Sequence, residues 1–218
     1  MEKSQQHLAA WQSRGEIDLA LVIALDVSAS VTEHEYDLMR HGVANALDTS
    51  EVAVAIGSGT HGAIAISILQ WSGFQEQDIK IDWTYVSSRD DLSGLAGEIT
   101  EMPRRYIGGA TDIGGMIDFA KGMIVSAPFE SPRNVIDVAG DGTNNVNHSP
   151  KIDSEAAAAI GITINGLAVT NKTDALAQYY TDFVIGGRDA FVEKADDYAG
   201  FERAMLRKLV REIQTLFT

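Results

Sequence analysis

The sequence predicts a doubly wound α/β fold: a mostly parallel sheet with one antiparallel edge strand and helices on both faces. Three observations carry this. Apolar runs of strand length alternate with amphipathic helical patterns from Ile17 onward, the β-then-α order of a parallel sheet. The first run, Asp18–Asp26 (DLALVIALD), is continuously apolar, as a strand covered on both faces requires. One pair of runs is joined by only the seven residues Ser72–Asp78, too few for a parallel crossover of about a dozen.

The elements follow in order. After the first strand, Thr32 and Glu35 form a T-x-x-E capping box, which starts a helix. Tyr36, Met39, Val43 and Leu47 recur on one face of it. Ala63–Trp71 (AIAISILQW) and Ile79–Val86 (IKIDWTYV) are the two strands of the short connection, so they pair antiparallel. Arg89–Met102 reads as a helix stopped by Pro103. Asp112–Ser126 is a helix with Ile113, Met116, Ile117, Ala120 and Ile124 on one side. Asn134–Gly140 is a strand, Asp153–Ile160 an Ala-rich helix and Thr163–Val169 a strand. A short helix around Asp174–Tyr180 and a last short strand at Asp182–Ile185 follow. Tyr198–Phe217 closes the chain as a helix, with Phe201, Met205, Leu209, Ile213 and Phe217 at intervals of four. The whole is a Rossmann-like arrangement.

No Pro/Ser-rich linker interrupts this alternation. It reads as one domain over residues 17–218, preceded by a polar segment over residues 1–16. That segment lacks the apolar core of a signal peptide. The compartment stays open: exported to a periplasm if a leader was removed, cytoplasmic otherwise.

Composition excludes several functions. The 17 Lys+Arg against 31 Asp+Glu give a net charge of −14, the wrong sign for a nonspecific nucleic-acid binder. No apolar run approaches the ~20 residues of a membrane span. With no Cys, disulfides, thiolate nucleophiles, zinc–thiolate sites and iron–sulfur clusters are ruled out.

In open α/β sheets, sites form outside the carboxyl ends of the strands. The first strand ends in Asp26-Val27-Ser28-Ala29-Ser30, and the Asn134–Gly140 strand in Asp141-Gly142-Thr143-Asn144-Asn145. Gly108-Gly109-Ala110-Thr111 precedes the helix from Asp112. If those two strands are neighbours, the three loops bring together the carboxylates of Asp26 and Asp141 and the hydroxyls of Ser28, Ser30 and Thr111. Such an all-oxygen set suits a hard divalent cation. Few charges and several hydroxyls fit Mg²⁺, with Mn²⁺ a close substitute.

D-x-S-x-S after the first strand, a Thr before a helix and an Asp after a later strand resemble the metal-ion-dependent adhesion site (MIDAS) of von Willebrand factor type A (vWA) domains. The resemblance spans the whole domain in element order. VIDVAGDGTNN, GITINGLAV, DFVIGG and RAMLRKLV resemble more particularly a bacterial family of such domains known as DUF1194. The resemblance implies that Ser28, Ser30 and Thr111 bind metal directly and that Asp26 and Asp141 act mostly through coordinated water. It implies a remaining position for a carboxylate from a partner protein, hence binding and not catalysis. It also implies a closing helix that shifts in some members when the site is filled, and members that often look exported.

Asp112 either orients this shell or caps its helix. Asp137, inside an apolar strand and in phase with Asp141, either supports the site from behind or pairs with an Arg on a covering helix. The nearest enzyme reading is a Mg²⁺-dependent, haloacid-dehalogenase-like phosphatase, because GDGTNN resembles that family's acidic loop. Its D-x-D has Ser at position 28, its final acid is Asn145, and of the lysines only Lys121 lies between the Thr111 and Asp141 loops. A structural subunit whose site is occupied but unused is a third class. G-x-G-x-x-G at Gly57–Gly62 precedes its strand and opens no helix, so it reads as a flexible turn and not a dinucleotide loop. The five His form no metal-binding pattern, and no G-x-S-x-G elbow occurs.

Overall fold

The computed structural model describes residue 11, residues 14–146 and residues 148–214. The sheet has the order β3-β2-β1-β4-β5-β6. Its strands are β1 (Leu19–Asp26), β2 (Ile64–Trp71), β3 (Gln77–Val86), β4 (Asn134–Gly140), β5 (Ile162–Val169) and β6 (Val192–Ala195). The helices are α1 (Glu33–Leu47), α2 (Ser50–Gly57), α3 (Arg89–Thr100), α4 (Ile113–Val125), α5 (Lys151–Ala159), α6 (Ala175–Phe183) and α7 (Phe201–Gln214). All neighbours pair parallel except β2 and β3. This is a vWA-type α/β fold.

Every residue of β1 is buried, and its alternate side chains feed two cores. Leu19, Leu21, Ile23 and Leu25 face one core with the apolar stripes of α1, α2, α3 and α7. Ala20, Val22 and Ala24 face the other, with Ile113, Met116 and Ile117 of α4 and Leu176 and Tyr180 of α6. Each large apolar side chain so buried stabilises the fold by roughly 1.5–3 kcal/mol before entropy is counted. The capping box is present: the Thr32 hydroxyl accepts from the Glu35 amide while Glu35 accepts from the Thr32 amide.

The edge strand β3 is antiparallel as expected and carries a bulge opposite Ile68. The bulge sends Ile81 and Trp83, two residues apart, into opposite cores. The Ser67 hydroxyl donates to the Ile81 carbonyl at 2.7 Å across this irregularity.

Two elements differ from the sequence reading. The expected strand at Asp182–Ile185 is not one: α6 runs on through Asp182 and Phe183, and the edge strand is Val192–Ala195. Four residues reading Val-Glu-Lys-Ala carry too little alternation to signal a strand. The helix Ser50–Gly57 was not anticipated, because SEVAVAIG alternates apolar and small residues as readily as it repeats at helical spacing. Its start is fixed by Thr49, whose hydroxyl accepts from the Val52 amide.

The glycine-rich stretch at 57–62 is a turn with a clear role. The amides of His61 and Gly62 donate to the Asp18 carboxylate at 3.0 Å each, and a Cβ at Gly59 would collide with that carboxylate. The loop therefore cradles the chain's own anion. In the N-terminal segment, Trp11 is buried and packs on Phe129, ring centroids 4.4 Å apart. Phe217 of the closing stripe lies outside the described residues; Phe201, Met205, Leu209 and Ile213 are all buried. No helix among the described residues is long and apolar enough to cross a membrane.

Candidate metal centre

β1 and β4 are neighbours, with Leu25 opposite Ala139, so their carboxyl ends emerge side by side. Asp26 is the last residue of β1, and its Oδ1 accepts the Ser28 amide at 2.8 Å, a turn that a short acidic or amide side chain favours. The Ala29 amide donates to the Gly109 carbonyl at 2.9 Å, which ties the first loop to the glycine-rich one. The Thr111 amide donates to Asn145 Oδ1 at 2.9 Å, and the Asn145 amide returns to the Thr111 carbonyl at 3.0 Å. Asn144 Oδ1 accepts from the Ile113 amide at 2.8 Å. The two asparagines that follow Asp141 thus hold the Thr111 loop against the β4 exit.

The five side chains expected to converge do so. Thr111 Oγ1 donates to Ser28 Oγ at 3.4 Å, Ser28 Oγ lies 3.3 Å from Ser30 Oγ, and Ser30 Oγ donates to Asp141 Oδ1 at 2.5 Å. Asp26, Ser28, Thr111 and Asp141 are buried. Asp26 Oδ2 is buried with no hydrogen-bond partner among the described residues. Burial pushes the Asp26 carboxyl up to about 7, against the pull of its bonds from Ser28. A Cβ at Gly140 would come within 2.9 Å of Asp26 Oδ2 and 2.8 Å of Tyr180 Oη, so only glycine lets β4 lie this close.

Asp112 caps α4: its Oδ1 accepts the Gly115 amide at 3.0 Å. Asp137 is not brought to this group. It sits four residues before Asp141 on an extended strand, about 13 Å away by strand rise. Its Oδ1 pairs at 2.7 Å with Lys208 on α7, which also pairs with Glu212. Of the two roles open to it, the partner on a covering helix is the one found, with Lys in place of Arg.

Two further residues shape the site and escaped the sequence reading. Lys172 Nζ lies 2.5 Å from Asp141 Oδ2 and donates to the Ser30 carbonyl at 3.2 Å. Parallel pairing of β4 and β5 puts the loops after those strands side by side, which was the signal available. Arg104 Nη2 donates to the carbonyls of Val27, Ser28 and Val31 at 3.0, 3.1 and 2.8 Å. Its guanidinium holds the Asp26–Ser30 loop in shape from behind.

The donors fit a hard cation. All are oxygen, most are neutral hydroxyls, and one buried carboxylate oxygen lacks a partner that a cation or its water would supply. Among the described residues no three His, Cys, Asp or Glu side chains gather to hold a metal by themselves, so the hydroxyls are essential to any such site.

A family model described as "Protein of unknown function (DUF1194)" matches residues 16–217. Among solved structures, proximal thread matrix protein 1 from the mussel byssus, with a zinc-occupied MIDAS motif, superposes with a TM-score of 0.67 at 17% identity, over 89% of this chain and 48% of that one. A von Willebrand factor type A protein from Catenulispora acidiphila gives 0.59 at 12%, over 91% and 43%. The PilB minor pilin from Streptococcus sanguinis gives 0.65 at 12%, over 94% and 63%. The chain spans about half the length of the mussel protein. At these identities the likeness is one of fold. No curated protein sequence matches the chain.

Proposed function

The chain belongs to the DUF1194 family, and from that premise we propose that it is a divalent-metal-dependent protein-binding domain with a MIDAS-type site. The observation that carries the reading is the convergence of Ser28, Ser30 and Thr111 with Asp26 and Asp141 around an unpartnered, buried carboxylate oxygen. The zinc-occupied motif of the mussel protein supports a divalent cation on this fold.

In this reading the three hydroxyls hold Mg²⁺ or Mn²⁺ directly, and Asp26 and Asp141 act through coordinated water. Bound on neutral ligands, the cation supplies an electrophilic point for an outside carboxylate. The chain's residues do the rest. Arg104 and the Asp26–Ser28 turn preset the first loop, Asn144 and Asn145 preset the second, and burial keeps competing water few. The ligand is a protein partner presenting an Asp or Glu side chain, and the domain is no enzyme.

A pull-down from the source organism tests this. Capture is expected with Mg²⁺ and lost with EDTA or in Ser28→Ala. Equal capture in all three contradicts it.

One observation favours the phosphatase reading more than the sequence did: a lysine, Lys172, which such an enzyme needs, stands on Asp141. The position of the second aspartate is still Ser28, whose hydroxyl does not replace the carboxyl of a general acid/base. Phosphate esters with Mg²⁺ are expected to show no turnover; turnover lost in Asp26→Asn would reverse the choice.

A further inference from the structure

Lys172 occupies a position that the metal reading does not use. It lies in the loop between β5 and α6, about half exposed, while the Asp141 side chain it reaches is fully buried. Both Asp141 oxygens are thereby engaged: Oδ1 by the Ser30 hydroxyl and Oδ2 by the Lys172 ammonium. A second contact, to the Ser30 carbonyl at 3.2 Å, sets the ammonium over the same loop that carries two of the hydroxyls. The loop is held near the site by Asn171, whose amide donates to Glu35 at the start of α1 at 3.2 Å.

We propose that Lys172 is an internal competitor for the cation: its ammonium holds Asp141, and a divalent ion binds at the expense of that pair. The inference rests on the metal reading above. Its physics is simple. The Lys172 ammonium occupies one side of Asp141 Oδ2 and draws on its negative charge, so that oxygen accepts less readily from a metal-bound water. A doubly charged ion among Ser28, Ser30 and Thr111 also places like charge beside the ammonium. A lysine suits the role, since its compact charge rides on a flexible stem that can swing into solvent. The consequence is a site tuned to weaker affinity, which fills only where divalent ions are plentiful. Monovalent cations, no more charged than the ammonium itself, would displace it poorly.

Mn²⁺ binding to chelator-treated protein, followed by calorimetry and by the loss of the free-ion paramagnetic resonance signal, tests this with wild type, Lys172→Met and Lys172→Arg. Methionine keeps the stem volume and removes the charge. It is expected to bind Mn²⁺ about tenfold more tightly, equivalent to 1.4 kcal/mol. Arginine keeps the charge and is expected to bind like wild type. Metal-free melting curves establish that each variant is folded. Wild-type binding with an equal or weaker constant in Lys172→Met overturns the competitor and leaves the metal reading standing. Absence of Mn²⁺ binding in all three overturns both.

Discussion

Asp26 and Asp137 are both buried carboxyls pushed up to about 7 by desolvation, and their neighbours give them different work. Asp26 has one oxygen with no hydrogen-bond partner among the described residues, and its other oxygen accepts the Ser28 amide. Asp137 faces Lys208, itself shared with Glu212, and Glu212 is held by the Asn165 amide at 2.8 Å. Burial and the neighbouring Glu212 carboxylate outweigh the Lys208 ammonium, so Asp137 holds its proton. The linkage sign follows. Between about pH 4 and 7 the folded state keeps a proton that the unfolded chain has released, so stability falls as pH rises through that window. Asp137→Asn removes this dependence. In urea melts with EDTA from pH 5 to 8, wild type is expected to lose ground to the variant on the order of 1 kcal/mol per pH unit up to about 7. Asp26 contributes equally to both proteins and cancels. Parallel profiles would contradict the account. The five metal-site candidates were legible because each sits at a strand end or before a helix, where turn chemistry is local. Lys172, Arg104 and Lys208 were not, because each acts on a segment distant in sequence and close only in the fold.

Helices and strands were legible where their pattern was long. The continuous run of β1, the capping box of α1 and the stripe of α7 all announce themselves. The brief elements, α2 and β6, did not, since eight and four residues hold too few periods to separate helix from strand. The stripe of α7 also concealed something: Lys208 and Glu212 lie on its buried face, which apolar periodicity cannot reveal. The packing of α7 on α1 is close at Gly42, where a Cβ would come within 2.8 Å of the Phe201 ring and 3.3 Å of the Glu202 amide nitrogen. Gly42→Ala gains helix propensity but forces these helices apart, and the backbone contact cannot yield as a side chain could. It is expected to destabilise the fold by about 1–3 kcal/mol, read as a lower urea midpoint. An unchanged or raised midpoint would show that the helix pair has slack.

For the whole molecule, the −14 net charge first excluded nucleic acid. It also sets a problem for the proposed binding of an acidic partner, because long-range repulsion extends about 10 Å at 0.1 M salt. In the proposed reading a cation at the β1–β4 edge would reverse the sign locally, and Lys172 already sets a single positive charge on Asp141 there. The topology makes the site possible: placing β1 beside β4 brings three loops, far apart in the chain, to one edge. The central claim, that this edge is a divalent-metal site, is tested most directly by thermal melting of chelator-treated protein with Mg²⁺ or Mn²⁺ added. An ion bound only by the folded state stabilises it by about 2.7 kcal/mol at 100-fold excess over Kd, a rise of several degrees for a chain this size. The account predicts that rise in wild type and none in Asp141→Ala. A wild-type melting curve indifferent to both ions would contradict it.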